Sequence, residues 1–461
     1  MAKWMPSLAD RKGPKYLRIV NALAEDIYAG RLSVGARLPT HRDLAWELGV
    51  TVGTVSRAYA EAERRGLVVG EVGRGSFVRG ARSMATLAMP DLVKPDDVDL
   101  GINRPPKGPG LDLFAEALNR VSARDDLVDL MNYSPHTGLW EHREAGTRLM
   151  AGRGFATKTD RVLLISGVEH GIAAAFMALT DPGDTVLVED LTWSGVRALA
   201  SLLRLRLHPV RMDKNGLDPD ALAAACEATG ARLLCTIPTI HNPTSVIMPA
   251  ERRQAVADVA SRYGLTIIED DIYGLLPEGA PPPIAHYAPE RTVYLTGASK
   301  ALLPCLRVGF AAMPEDRIGR FSAAARAANW MTSPIMAQIV ADWINDGTAE
   351  VLTAQIRAVV AARQAVAKRV FAGLNVNMAP ASFHAWLQLP DPWRAQDFVE
   401  AAAKKRLSVP STDLFVPGRS VTPHAVRITL TATASELELE AALTELREII
   451  ARQPEPFLAV A

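Results

Sequence analysis

Thr296-Gly-Ala-Ser-Lys-Ala-Leu-Leu-Pro-Cys-Leu-Arg-Val-Gly309 is the stretch on which the reading of this chain turns. It follows the apolar run Arg291-Thr-Val-Tyr-Leu295, which predicts a buried strand. Lys300 stands among small residues at the exit of that strand. A lysine in a partly desolvated pocket loses its proton more easily and can form a Schiff base with an aldehyde. Seven residues further on, Arg307 offers a rigid guanidinium fork suited to a phosphate.

Upstream of this stretch, apolar runs alternate with helical patterns. Val162-Leu-Leu-Ile-Ser166, Thr185-Val-Leu-Val-Glu-Asp190, Leu233-Leu-Cys-Thr-Ile237 and Leu265-Thr-Ile-Ile-Glu-Asp270 predict strands, and residues 250–263 predict a helix. The alternation predicts an α/β fold with a mainly parallel sheet. In such sheets ligands sit off the carboxyl ends of the strands. Chemistry-bearing residues fall at those ends. Gly167 and Val168 lie between strand and helix, where bare N–H groups and the helix dipole attract phosphate. Trp193 offers a flat face for stacking on a ring. Asn242, in His241-Asn-Pro-Thr244, and Tyr273 can each donate to a phenolate oxygen. Asp270 can pair with a protonated pyridine nitrogen. With Lys300 and Arg307, these are the groups that a pyridine aldehyde bearing a phenol and a phosphate requires.

This set resembles that of the fold-type I aminotransferases of class I/II, over residues 98–461. The resemblance implies pyridoxal 5′-phosphate bound through a Schiff base at Lys300, with the other residues in the roles just given. It implies that Ser299 lies near the phosphate and that Tyr133 reaches the phosphate of a neighbouring subunit. Arg427, in Ala425-Val-Arg-Ile-Thr-Leu430, matches the arginine that grips a substrate α-carboxylate in that family. Residues 98–330 correspond mainly to its large domain and 331–461 mainly to its small domain. Three segments depart from the family pattern. Gly297 lacks a phosphate-contacting hydroxyl, leaving Thr296 as the candidate replacement. His241-Asn-Pro-Thr-Ser245 stands where Gln-Asn-Pro-Thr-Gly is common, and Cys305 stands where a glycine is frequent.

The first 78 residues read differently. Residues 16–28 have apolar positions at helical spacing, residues 39–49 start a second helix with Thr40 as its cap, and residues 51–66 form a third. Two short strands follow around a Gly-rich tip. Helix, turn, helix and hairpin are the layout of a winged helix-turn-helix. The third helix would enter the major groove through Thr51, Val52, Gly53, Thr54 and Ser56. Arg42 and Arg57 would reach phosphates, and Arg74 at the wing tip a phosphate or the minor groove. Gly35-Ala-Arg-Leu-Pro-Thr-His-Arg-Asp-Leu-Ala45, Thr54-Val-Ser-Arg-Ala-Tyr59 and Gly73-Arg-Gly-Ser-Phe-Val78 resemble the GntR family of bacterial DNA-binding domains. Many members carry an arginine where Val52 stands; a valine instead suits a thymine methyl. Residues 79–97, with Gly80, Pro90 and Pro95, read as a linker.

The net charge of zero hides an asymmetry. The first 80 residues carry 13 Lys and Arg against 8 Asp and Glu, and the other 381 carry 38 against 43. A basic arm on an acidic body points to a polyanion partner. Cys226, Cys235 and Cys305 have neither metal-ligand spacing nor an even disulfide framework, so no metal and a reducing cytoplasm are expected. No run reads as a signal core or a membrane span.

A GntR-like arm fused to an aminotransferase-like body resembles the MocR subfamily of regulators. That resemblance implies a homodimeric transcription regulator that binds an operator in double-stranded DNA. Its body would sense pyridoxal phosphate, or an amine or amino acid reacting with it. The rival reading is a working aminotransferase using the same residues. A third makes the body a dimerisation scaffold.

Overall fold

The computed structural model describes residues 4–6, 8, 14–28, 31–32, 36–64, 67–71, 75–78, 97–417 and 423–452. Two compact units divide between Pro90 and Asp91.

The first unit holds α1 (Lys15–Tyr28), α2 (His41–Glu47), α3 (Val52–Arg64), β1 (Val68–Glu71) and β2 (Gly75–Val78). Hydroxyl caps start both α2 and α3. Thr40 Oγ1 accepts from the Asp43 N–H at 3.2 Å, and Thr51 Oγ1 accepts from the Thr54 N–H at 3.2 Å. Ile19, Val20 and Leu23 of α1 meet Leu44 of α2 and Val55, Ala58 and Tyr59 of α3 in one core. The two strands pair antiparallel, with Val68 opposite Val78. This is a helix-turn-helix followed by a hairpin. Arg74 and residues 79–96 lie outside the described residues.

The second unit is built on a seven-stranded sheet. Its strands are β3 (Val162–Ile165), β4 (Thr185–Glu189), β5 (Arg206–Val210), β6 (Leu233–Thr236), β7 (Thr266–Asp270), β8 (Thr292–Gly297) and β9 (Gly309–Ala312). Their spatial order is β3-β9-β8-β7-β6-β4-β5. All neighbours run parallel except β9, which is antiparallel to both β8 and β3. The β3, β6 and β8 residues are buried throughout, as expected of strands covered on both faces. α4 (Val168–Leu179) covers one part of the sheet through Ile172, Ala175 and Phe176, and α5 (Ala250–Tyr263) another through Val256 and Ala260.

Neither β5 nor β9 is announced by the sequence. The edge strand β5 carries Arg206, His208 and Pro209 and is only partly buried, and proline is tolerated at an edge. Gly309-Phe-Ala-Ala312 is made mostly of small residues and follows β8 after a connection too short for a parallel crossover.

A smaller antiparallel sheet, β10 (Val376–Asn377), β11 (His384–Gln388) and β12 (Ala425–Thr429), packs against α6 (Thr348–Val370) and α7 (Glu436–Ala451). Residues Val98–Asp99 pair in parallel with Leu407–Ser408, and Leu100 enters the same core. The start of this unit is therefore anchored to the smaller sheet, which positions Gly101 and Asn103 for the site below. Among the described residues, no helix is long and apolar enough to cross a membrane, and no group of three His, Cys, Asp or Glu is placed to hold a metal.

Phe310 of β9 is 1% exposed and fills the space over Gly146. Phe310→Ala is expected to destabilise the second unit by roughly 3–5 kcal/mol, read from the shift of the urea unfolding midpoint.

Candidate functional site

The end of β7 and the exit of β8 lie side by side, because parallel pairing sets Asp270 opposite Leu295. Lys300 sits in the single turn Ala298–Ala301 that follows β8. Its Nζ donates to the carbonyl of Asn103 and lies 5.9 Å from the centre of the Tyr273 ring. Burial and the charge of Arg427 push the amine down to about 8, against the pull of Asp270. Asp270 is buried, and its Oδ1 accepts from the Ile272 N–H at 3.0 Å. Burial pushes its carboxyl up to about 7, opposed by that N–H and by Lys300. A cationic N–H seated against Asp270 would hold it ionised.

Arg427 comes from β12 of the smaller sheet and is buried. Its Nη1 donates to Asn242 Oδ1 at 2.8 Å and its Nη2 to the carbonyl of Gly101. The guanidinium carbon lies 4.9 Å from the centre of the Phe415 ring. Burial lowers its pKa to about 10, which leaves it a cation at neutral pH. The buried Nε has no protein partner. With five N–H donors in all, the fork retains hydrogens for a further anion. Asn242 offers Arg427 its oxygen, so its amide hydrogens are available for another acceptor.

The phosphate-suited end lies at the exit of β3. Gly167, with φ of +91°, precedes the twelve-residue α4, and no side chain caps the bare N–H groups there. Arg307 donates to the Ser166 carbonyl at 3.2 Å and to Ser299 Oγ at 3.5 Å. A Cβ at position 167 would stand 2.9 Å from Arg307 Nη2, so the glycine keeps this cradle open. These residues fit a phosphorylated ligand: bare helix N–H groups, a guanidinium and a hydroxyl converge there.

The remaining expected residues are placed as follows. Thr296 is buried and its hydroxyl donates to the Asp271 carbonyl at 3.4 Å, so it does not stand in for the hydroxyl missing at 297. Trp193 is half-buried and its ring covers Gly195, where a Cβ would come within 2.2 Å of it. Tyr133 is 79% exposed and meets Trp330 edge-on at 5.9 Å.

Sequence reasoning missed several residues that the fold brings in. Asn103 touches both Lys300 and Tyr273, and His384 touches Asn103. Asn329 Nδ2 donates to Ser166 Oγ at 2.5 Å, and Thr332 Oγ1 lies 3.1 Å from the same oxygen. None sits at a strand end of the large sheet, so the strand-end rule does not reach them.

In the first unit, Arg42, Thr51, Val52, Gly53 and Arg57 are exposed. Arg57 lies over the Tyr16 ring at 4.5 Å. Ser56 Oγ is 3.0 Å from His41 Nδ1, and Thr51 and Thr54 hydroxyls lie 2.9 Å apart. Trp46, unforeseen, is 87% exposed.

Residues 95–446 match the family "Aminotransferase class I and II", and residues 15–78 match "Bacterial regulatory proteins, gntR family". The chain is 31% identical over 448 residues to the HTH-type transcriptional regulator YdeF of Bacillus subtilis (strain 168), covering 97% of this chain and 96% of YdeF. It is 26% identical over 437 residues to the vitamin B6 salvage pathway transcriptional repressor PtsJ of Salmonella typhimurium, covering 94% and 98%. Among solved structures, the α-aminoadipate aminotransferase LysN of Thermus thermophilus superposes with a TM-score of 0.70 at 22% identity, covering 77% of this chain and 92% of LysN.

Behind the site, Glu189 accepts from Thr236 Oγ1 at 2.5 Å and from the Ile237 N–H at 2.8 Å through one oxygen, while its other oxygen is buried without a partner. Burial pushes Glu189 up to about 7, as it does Asp270. The folded chain thus holds these protons up to about pH 7, whereas the unfolded chain releases them near 4. Unfolding releases protons in that window, so stability falls as pH rises through it. Glu189→Gln is expected to flatten the fall of the ligand-free melting temperature between about pH 5 and 7.5, read by calorimetry.

Proposed function

The chain belongs to the aminotransferase class I and II family and, through its first unit, to the gntR family of bacterial regulatory proteins; from that premise we propose that it senses pyridoxal 5′-phosphate, or an amine or amino acid reacting with it, and relays the result to an operator in DNA. This two-part layout is that of the MocR subfamily. Pyridoxal 5′-phosphate is the cofactor of the larger family, and when bound it supplies an aldehyde that condenses with amines and a ring that draws off electrons.

In this reading Lys300 presents a readily deprotonated amine to the aldehyde. Asp270 faces the ring nitrogen, and Tyr273 and Asn242 donate to the phenolate. Trp193 stacks on the ring. Gly167, Val168, Ser299 and Arg307 hold the phosphate, with Tyr133 reaching across from a second subunit. Arg427 takes the effector's carboxylate. The observation that carries the reading is the convergence of Lys300, Tyr273, Asn242 and Arg427, with Asp270, from separate segments onto one edge of the sheet. A carboxylate on Arg427 would take the guanidinium hydrogens that Asn242 and Gly101 leave over and so tie the smaller sheet to the ligand. Any change in operator affinity is limited to the ligand's differential affinity for the free and the operator-bound chain.

A homodimer is supported by the exposed apolar groups Val128, Met131, Tyr133, Trp140 and Trp330, exposed at 75%, 70%, 79%, 59% and 53%. Trp330 is flanked by Asn329 and Thr332, which bond Ser166 beside the phosphate cradle. A two-fold dimer of helix-turn-helix units calls for paired half-sites in the operator. Arg42, Thr51, Val52, Gly53, Thr54, Ser56, Arg57 and Arg74 are the DNA-facing residues of the proposal, in a cytoplasmic protein.

One observation favours a second reading, catalytic transamination: the Lys300 amine lowered to about 8 suits a general base. Rapid, complete conversion to the pyridoxamine form with release of a keto acid would establish it over regulation.

Three outcomes are expected. The full chain with pyridoxal 5′-phosphate develops visible absorption, which Lys300→Ala abolishes. Operator affinity at fixed salt changes when an amino acid is added to the loaded native chain and not to Lys300→Ala. Arg42→Ala weakens DNA binding and reduces the slope of log affinity against log salt by about 0.9.

A further inference from the structure

Asn103 is 9% exposed and lies between three functional groups. Its carbonyl accepts from Lys300 Nζ. Its Nδ2 is 2.8 Å from the Tyr273 hydroxyl oxygen and 2.9 Å from His384 Nδ1. His384, on β11 of the smaller sheet, is fully buried, and its Nε2 is 3.2 Å from the His241 carbonyl.

These contacts fix the direction of every hydrogen. The His241 carbonyl only accepts, so His384 Nε2 carries a hydrogen. Burial, then the charge of Arg427, holds the ring neutral, so Nδ1 is bare and must accept. The Asn103 group facing Nδ1 is therefore the NH2, and the same NH2 faces Tyr273. One amide hydrogen goes to His384 and the other to the Tyr273 oxygen. The hydroxyl hydrogen of Tyr273 is thereby turned away from Asn103. Asn103 Oδ1 is left buried with no protein partner.

We propose that Asn103 is a positioning residue, whose amide aims the Tyr273 hydroxyl hydrogen at the cofactor phenolate and ties that aim to His384 of the smaller sheet. The inference rests on the reading of Lys300 and Tyr273 given above. It adds a residue that touches neither phosphate nor carboxylate groups in that reading and acts through another side chain. A change in the placement of β11 would reach the cofactor through His384 and Asn103, without any contact between β11 and the ring.

A donor aimed at the phenolate oxygen stabilises its negative charge. It lowers the pH at which the coloured, lysine-bound cofactor gives up its proton. Lys300, Asp270, Arg427 and His384 are the charged or titratable groups around Tyr273; changing the Asn103 side chain leaves all four in place and takes from His384 Nδ1 the one hydrogen it accepts, while the Asn103 carbonyl that Lys300 meets is kept. The test is a pH titration of the visible band of the full chain loaded with pyridoxal 5′-phosphate. Asn103→Leu is expected to raise the midpoint by about one pH unit, the worth of one hydrogen bond, in the same direction as Tyr273→Phe. In the double variant, Asn103→Leu should add nothing to Tyr273→Phe. Asn103→Ser gives the same comparison with a smaller side chain if the leucine variant does not fold. A midpoint indifferent to Asn103, or a shift that adds in full on Tyr273→Phe, overturns the inference while leaving the cofactor reading intact. A native chain with no such band overturns that reading and the inference with it.

Discussion

Three consecutive carboxyl groups, Glu269, Asp270 and Asp271, are buried at the end of β7, and the site depends on how they are balanced. Adjacent buried acids repel and are costly to ionise unless each is answered. Asp271 is answered by Arg153 at 3.1 Å and by the Tyr294 hydroxyl at 2.7 Å. Glu269 accepts from the Ile284 and Ala285 N–H groups at 2.7 and 2.8 Å. Side chains alternate along a strand, so these two share one face and Asp270 points to the other. There Asp270 receives one backbone N–H and the field of Lys300. The scaffold gives Asp271 a salt bridge and Glu269 two backbone N–H groups, and gives the middle one a single N–H and, among the described residues, no cation in contact. Such a deficit is what makes a buried acid responsive to a cation placed against it.

Much of this is legible in the sequence. Asp270 and Lys300 sit at strand exits, and parallel strands deliver all their exits to one edge. The DNA-binding unit is legible because its helices are short and have apolar residues at helical spacing, with Thr40 as a cap, all local features. Thr51 shows the limit of that reading. Its place at the start of the helix suits a base contact, yet its hydroxyl accepts from the Thr54 N–H as a cap.

What stays hidden is long-range. Asn103 and His384 are separated by 281 positions, and they meet because Val98–Asp99 pairs with the strand Leu407–Ser408. No local periodicity encodes such a meeting. Ser166, Asn329 and Thr332 come together in the same way. Thr296 escapes for another reason. It lies within β8, and its hydroxyl is turned toward the Asp271 carbonyl on the neighbouring chain segment.

The antiparallel β9 has a geometric consequence of its own. Gly309 is paired with Gly297 on one side and with Ile165 on the other. The Ala298 N–H meets the Val308 carbonyl at 2.9 Å, which closes residues 298–308 into a loop. Amine and guanidinium are both carried on that loop, pinned at its base. In the proposed reading it works as a ruler: the span from Lys300 to Arg307 would measure a ligand's length from aldehyde to phosphate. On that reading an insertion there would alter the ligand length accepted, with every strand of the sheet left as it is.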